Sequence, residues 1–417
     1  MIIQRPLYLT ELINRRHNHM VKIITGLRRC GKSFLLFDIF SNYLTGEGIK
    51  GNHIIKVDFE DRRNRDLKNP DNLMDFIDSK IVDNQMHYLL IDEIQEVKDY
   101  TEVLLSYIKR HNIDIYVTGS NAKLLSKDVI TSFRGRGDEI KMYPLSFKEF
   151  YSAVDTGKEK ALDDFMLYGG LPQTVEMPTD RQKVKYLDNL FTQTYIKDIK
   201  ERSNIRNDEE LEILLDIIAS DIGSLTNPTR LQNTFLSTRK IKISDKTIKS
   251  YLDYISDAFL ISKAKRFDVK GRKYIDSPSK YYFTDLGLRN ARLNFRQTEP
   301  AHLMENLIYN ELLIMGFNVD VGVVPAFITD KNGEKKRAQY EIDFVCNAGN
   351  SKFYIQSAYK MPTEEKIAQE KNSLLRIDDS FKKIIIEFDD INPRKDDRGI
   401  STISIYDFLL KENPLEL

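Results

Sequence analysis

The residues best placed to do chemistry are Gly26, Gly31, Lys32 and Ser33, spaced G-x-x-x-x-G-K-S within Gly26-Leu27-Arg28-Arg29-Cys30-Gly31-Lys32-Ser33-Phe34. Two glycines let a loop wrap with its N–H groups inward, which suits an anionic polyphosphate. Lysine at this place puts a positive charge on the β- and γ-phosphates, and the adjacent serine hydroxyl is a ligand for Mg²⁺. Some 60 residues on, Asp92 and Glu93 close the run His87-Tyr-Leu-Leu-Ile-Asp-Glu. Asp92 is suited to hold Mg²⁺, directly or through water, and Glu93 to polarise an attacking water as general base. The set describes a site for a nucleoside triphosphate.

Such residues need a scaffold, and the flanks supply it. Val21–Ile24 reads as a short buried strand, and Ser33–Phe40 carries the apolar spacing of a helix whose positive end faces the loop. His53–Phe59 reads as a second strand ending in Glu60-Asp61, and His87–Ile91 as a continuous apolar strand of a parallel sheet. The next strand, Ile113–Thr118, ends in Thr118-Gly119-Ser120-Asn121. Asn121 or Thr118 can reach between the paired acids and a γ-phosphate, and Ser120 or Asn121 can equally cap the helix that follows. That helix runs to Phe133 and stops at Arg134-Gly135-Arg136-Gly137, before a strand over Glu139–Tyr143. Arg134 and Arg136 either contact a γ-phosphate held by a neighbouring copy, which makes a homo-oligomer, or stay solvated in their loop.

Length and composition bound the rest. A chain of 417 residues implies two to four domains. Its 63 basic and 63 acidic residues cancel, so any basic surface must be local. Cys30 and Cys346 are the two cysteines, and one lies in the phosphate loop, which argues against a disulfide framework and for a reducing cytoplasm. No apolar run approaches the roughly 18–20 residues that span a bilayer, so no membrane partner is expected. His17 and His19 have no acidic or cysteine partner nearby and read as solvated.

GLRRCGKS, then YLLIDE, then VTGSN, then an arginine after the next helix resemble the AAA-type P-loop ATPases. RGRGDEIKMYPLSFKEFY and LYGGLP narrow this to a widespread archaeal and bacterial ATPase family with a C-terminal domain of unassigned function. The resemblance covers nearly the whole chain. It implies an α/β P-loop sheet over 1–150 and a helical lid over 151–208. It also implies ATP as nucleotide, in keeping with the lack of an N-K-x-D-like guanine-reading element.

Residues 209–299 read as a winged helix, with Ser244 capping a helix and Lys263–Tyr274 forming a hairpin around Gly271. Between Thr226 and Ile275 stand twelve Lys/Arg and four Asp/Glu, a local excess that fits DNA, a solvated face or a subunit surface. Residues 300–417 carry a helix acid, a strand Asp and a strand Gln in the order of the PD-(D/E)xK nuclease fold, with Glu305, Asp343 and Gln356 matching. That pattern's lysine position holds Ala358, and Lys360 can substitute only if its strand continues. The expected C-terminal domain is a restriction-endonuclease-like α/β fold with lost or weakened chemistry. The whole reads as an AAA-type ATPase with Mg²⁺, using Lys32, Glu93, Asn121 and Arg136 in catalysis and acting on DNA by a conformational switch. Its rivals are an ATP-gated endonuclease using Glu305, Asp343, Gln356 and Lys360, and a non-hydrolysing nucleotide sensor or scaffold.

Overall fold

Five strands built on apolar runs pair into one parallel sheet: β1 (Val21–Gly26), β2 (Ile54–Asp58), β3 (His87–Asp92), β4 (Ile113–Gly119) and β5 (Gly137–Met142). The spatial order is β2-β3-β4-β1-β5, and every neighbouring pair runs the same way. The three inner strands are buried along their whole length, whereas β2 and β5, at the edges, alternate with exposed residues. A sheet covered on both faces requires this contrast. Ile55, Val57, Leu89, Ile91, Ile115 and Val117 pack against Leu73 and Ile77 of the helix Pro70–Lys80 and Val103 and Leu104 of Tyr100–Ile108. Because all strands are parallel, Gly26, Asp58, Asp92 and Gly119 finish on one edge, where α/β sheets bind ligands.

The computed structural model describes residues 2–416 apart from 120–132, 134, 204, 206–207, 297–298 and 330–334. The chain divides into two compact units, residues 1–144 with Asp257–Phe259, and residues 145–256 with 260–417. Among the described residues no helix is long and apolar enough to cross a membrane.

The second unit opens with short helices up to Ser203, the first of them, Phe147–Ala153, closed by a Ser146–Glu149 capping box. The Gly169-Gly170 pair ends the helix Lys158–Tyr168 for a steric reason. Gly169 sits at φ 75°, and a Cβ on it would lie 2.3 Å from a carboxylate oxygen of Asp285. Gly170 donates its N–H to Asp285 Oδ2 at 2.8 Å, and Leu288 N–H meets Oδ1 at 2.9 Å. Burial raises the Asp285 pKa to about 6, against the pull of these donors. Gly169 thus makes room for a buried carboxylate that caps the helix Leu286–Arg292, and Gly170, where a Cβ would lie 2.5 Å from the Leu145 carbonyl, donates to it. Their role inside this unit is packing.

Beyond the helices Pro228–Thr234 and Asp245–Asp257 comes a hairpin of β6 (Ile261–Asp268) and β7 (Lys273–Phe283). β6 also pairs in parallel with β8 (Asn318–Thr329), so the hairpin belongs to the same sheet as the later strands. That sheet has eight strands, with β9 (Lys335–Ala348), β10 (Ser351–Ala358), β11 (Lys382–Glu387), β12 (Arg394–Lys395) and β13 (Ile400–Ser404), ordered β12-β13-β11-β10-β9-β8-β6-β7.

Candidate nucleotide site and a second charged cluster

The phosphate loop is built where β1 ends. Gly26 takes φ 140°, and a Cβ there would lie 1.9 Å from the Met142 carbonyl of β5, so only glycine lets β1 finish against its neighbour. Gly31 takes φ 101° and Arg29 φ 65°, the positive-φ turns that point successive N–H groups inward. A helical run follows directly from Lys32 to Gly46. Leu27 and Cys30 are fully buried, so they pack while their backbone forms the cradle. Arg28 lies 3.7 Å from Glu60, Arg29 is exposed, and Phe34 is partly exposed. The Lys32 ammonium, almost fully buried, donates to the carbonyls of Gly26 at 3.1 Å and Leu27 at 3.0 Å.

Asp92 joins the loop to the sheet. Ser33 Oγ donates to Asp92 Oδ2 at 2.8 Å, Thr118 Oγ1 donates to Oδ1, and the Glu93 N–H meets Thr118 Oγ1 at 3.0 Å. Asp92 is 1% exposed, and burial lifts its pKa to about 6 despite the two hydroxyls, with the charges of Glu93 and Asp58 adding to the rise. A bound cation favours the carboxylate form, and a hydroxyl beside a carboxylate is a hard oxygen pair suited to Mg²⁺. The residues therefore fit that ion. Glu93 adopts φ 52° and ψ 49°, a left-handed conformation that costs of order 1–3 kcal/mol in a non-glycine residue. Its carboxylate accepts from Gln95 Nε2.

Sequence reasoning missed Arg5. Its buried guanidinium donates to the carbonyls of Cys30 at 3.0 Å, Tyr143 at 2.8 Å and Pro144 at 3.2 Å, and stacks 4.7 Å over Tyr8. It ties the loop to the chain after β5. A single arginine ahead of the first helix carries no motif, so only the folded chain reveals this role. Asn121 and Arg134 lie outside the described residues. Arg136 is exposed, and its carbonyl accepts the Val21 N–H at 2.9 Å, at the edge where β1 and β5 begin.

A second cluster forms in the eight-stranded sheet. Glu305 comes from the helix Pro300–Ile314, Glu341 and Asp343 from β9, and Lys280 and Tyr282 from β7. The Lys280 ammonium lies 2.8 Å from Glu305, 2.7 Å from Glu341 and 3.9 Å from Asp343. Tyr282 donates to Glu305 Oε1 at 2.6 Å, and Ser357 N–H to Asp343 Oδ2 at 2.8 Å. Burial opposes the charge on Lys280, and the three carboxylates overcome it and raise its pKa. Burial and the Glu305 charge raise that of Asp343, with Lys280 opposing. Gln356 Oε1 is 3.5 Å from Ser373 Oγ. β10 ends at Ala358, so the continuation that Lys360 required does not occur, and Lys360 is exposed with its ammonium over the Tyr359 ring. The cluster's lysine comes from a strand far earlier in the chain, where no spacing rule points to it.

In the basic stretch, Ile248, Tyr251, Leu252 and Ile255 bury one face of the helix Asp245–Asp257. Lys246 and Lys249 on that helix, and Lys263 and Lys265 on β6, are exposed, while Arg266 is tied to Gln339 at 3.0 Å.

Comparison with known proteins agrees with the first sheet. Residues 18–151 match the AAA domain family, and residues 159–299 match a domain of unknown function, DUF8612. An uncharacterized protein of Haemophilus influenzae is 34% identical over 416 residues, spanning 98% of this chain and 99% of that protein. Uncharacterized protein MJ1544 of Methanocaldococcus jannaschii is 29% identical over 417 residues, spanning 95% and 86%. The structure of the Aeropyrum pernix ORC1 protein in complex with DNA aligns over 70% of this chain and 92% of that one at 10% identity, with a TM-score of 0.30.

Proposed function

Because the chain belongs to one family with the Haemophilus influenzae protein, whose length it spans, and carries an AAA domain, we propose that it binds ATP with Mg²⁺ and hydrolyses it to ADP and phosphate. The observation that carries this reading is Asp92, held by both the Ser33 and Thr118 hydroxyls, directly before Glu93 and beside the glycine loop. In the proposed mechanism the loop N–H groups and Lys32 hold the phosphates, and Lys32 leaves the Gly26 and Leu27 carbonyls to do so. Mg²⁺, held by Ser33 and by Asp92 directly or through water, would neutralise charge on the phosphate oxygens. Glu93 orients the attacking water and takes its proton, and Asn121, two residues past the end of β4 in the sequence, contacts the γ-phosphate. Phosphate release from ATP by the purified chain is the test, and no turnover above a Lys32→Ala control would refute it.

We read residues 151–208 as a lid and 209–299 as a winged helix whose hairpin, β6 and β7, is built into the sheet of a nuclease-like domain that continues through 300–417. The output of hydrolysis is a conformational switch acting on DNA. The exposed lysines of the helix Asp245–Asp257 and of β6 support this. Log affinity for duplex DNA should then fall linearly with log salt, at about −0.9 per phosphate contact. Reversal of Lys246, Lys249 and Lys263 to Glu should flatten the slope by about 2–3. An unchanged slope would move this face to protein contacts.

A second reading is favoured by one observation: the Lys280 ammonium stands among Glu305, Glu341 and Asp343. Lys280 would take the place that Ala358 vacates in the nuclease pattern, with Glu305 and Asp343 as metal ligands, so that the domain keeps DNA-cleaving chemistry. Plasmid DNA with Mn²⁺ should then be nicked by the wild type and at least ~100-fold more slowly by Lys280→Met. Intact plasmid with the wild-type protein would leave the domain without that activity.

A further inference from the structure

Two histidines and an aspartate meet at the edge of the first sheet opposite the phosphate loop. His53 immediately precedes β2, His87 opens β3, and Asp83 lies between them, on the segment 81–86 that follows the helix Pro70–Lys80. Each of the three presents one ligand atom, and these atoms lie within 4.8 Å of one another. The imidazoles are buried, with ring centroids 4.6 Å apart, while the Asp83 side chain is 41% exposed. Two buried imidazoles and a carboxylate open to solvent make a three-ligand set of nitrogen and oxygen with one side left for water.

The orientation of the donors is the second observation. His53 Nε2 lies 3.0 Å from both oxygens of Asp83, a position from which a cation could take the place of the shared proton. The Gln85 backbone aligns the other two groups: its N–H meets Asp83 Oδ1 at 2.8 Å, and its carbonyl lies 2.8 Å from His87 Nδ1. A proton on Nδ1 leaves the His87 Nε2 lone pair as the donor, the outer-shell arrangement that metal-bound histidines adopt. Nε2 accepts the N–H of Val82 at 3.2 Å, a long bond that an ion on this nitrogen would displace. Ligand atoms around a tetrahedral ion with bonds of ~2.0–2.1 Å stand about 3.4 Å apart, so little ring movement closes the set.

We propose that His53, His87 and Asp83 bind one Zn²⁺ ion, which fastens the 81–86 segment to the starts of β2 and β3. The site stands at the opposite ends of the strands that deliver Asp58 and Asp92, so its function is to hold the sheet edge and not to touch the nucleotide. Nitrogen-rich donors of this kind select zinc over Mg²⁺, so the two ions occupy opposite edges of one sheet.

The test uses the full chain, stripped with a chelator and titrated with Zn²⁺ alone, with Co²⁺ as a spectroscopic stand-in. One equivalent of Zn²⁺ should bind at micromolar concentration or tighter, with a rise in Tm, and Co²⁺ should give the visible absorption of a tetrahedral site. Because both imidazoles are buried and losing one could unfold the edge, the decisive variants are Asp83→Ala, at the exposed ligand, and His53→Gln, which keeps a polar side chain in place. Each should weaken Zn²⁺ at least 10–100-fold while nucleotide binding stays at the wild-type level. Failure of the wild type to retain Zn²⁺, or unchanged Zn²⁺ affinity in both variants, overturns the proposal. In the second case the ion would sit on other donors, such as the facing pair His19 and His111.

Discussion

Glu93→Gln should bind ATP as tightly as the wild type and hydrolyse it ~10²–10⁴-fold more slowly. The expectation follows from where the structure spends its constraints. Asp92 is fixed by Ser33 and Thr118, and the loop is fixed by Gly26, Gly31 and Arg5, none of which depends on the charge of Glu93. Glu93 instead sits in a left-handed turn, with its N–H on Thr118 and its carboxylate on Gln95, contacts that a glutamine can keep. What glutamine cannot do is take a proton. Lys32→Ala should give the opposite pattern, since it removes the one ammonium within the loop and with it nucleotide binding. Fluorescent-nucleotide titration beside phosphate release separates the two. Equal turnover by Glu93→Gln and the wild type would remove Glu93 from the mechanism.

Arg136→Ala should lower turnover by ~10³–10⁵-fold, and mixing it with Lys32→Ala should restore part of the loss. If Arg136 is catalytic, the geometry requires a second copy. Arg136 stands beside Val21, where β1 begins, and the phosphate loop stands where β1 ends. Five steps along a strand at ~3.3 Å each separate those edges by about 17 Å, too far for a guanidinium to reach back. Gly135, at φ 76°, shapes the turn that presents Arg136 to solvent. An arginine used in trans makes turnover depend on protein concentration, and the mixture pairs an intact phosphate site with an intact arginine. If Arg136→Ala keeps full activity at every concentration, the chain hydrolyses ATP alone and Arg136 is a solvated loop residue.

Much of this was legible locally. The glycine spacing, the apolar strand ending in Asp92 and Glu93, and the helical run after Lys32 are short-range signals, each written within about ten residues, and all took the expected secondary structure. The strands around Asp343 and Gln356 were equally plain, because alternation and apolar runs report burial wherever a strand lies. Lys360 shows the limit: its use rested on a strand extending two residues further, and strand ends are decided by what the neighbouring chain offers to pair with.

The sequence by itself determined the local pattern: a glycine-rich loop between a strand and a helix, an acidic pair at the end of an apolar strand, and a basic stretch on a neutral chain. Tertiary structure alone decided the partners brought from afar. It placed Arg5 under Cys30, Lys280 among three carboxylates, Asp285 against a glycine pair, and His53 beside Asp83 and His87. The physical reason is common to all four. A buried charge or imidazole must find its counterpart in space, because burial removes water as a partner, and the counterpart's position along the chain is set by sheet order and strand register.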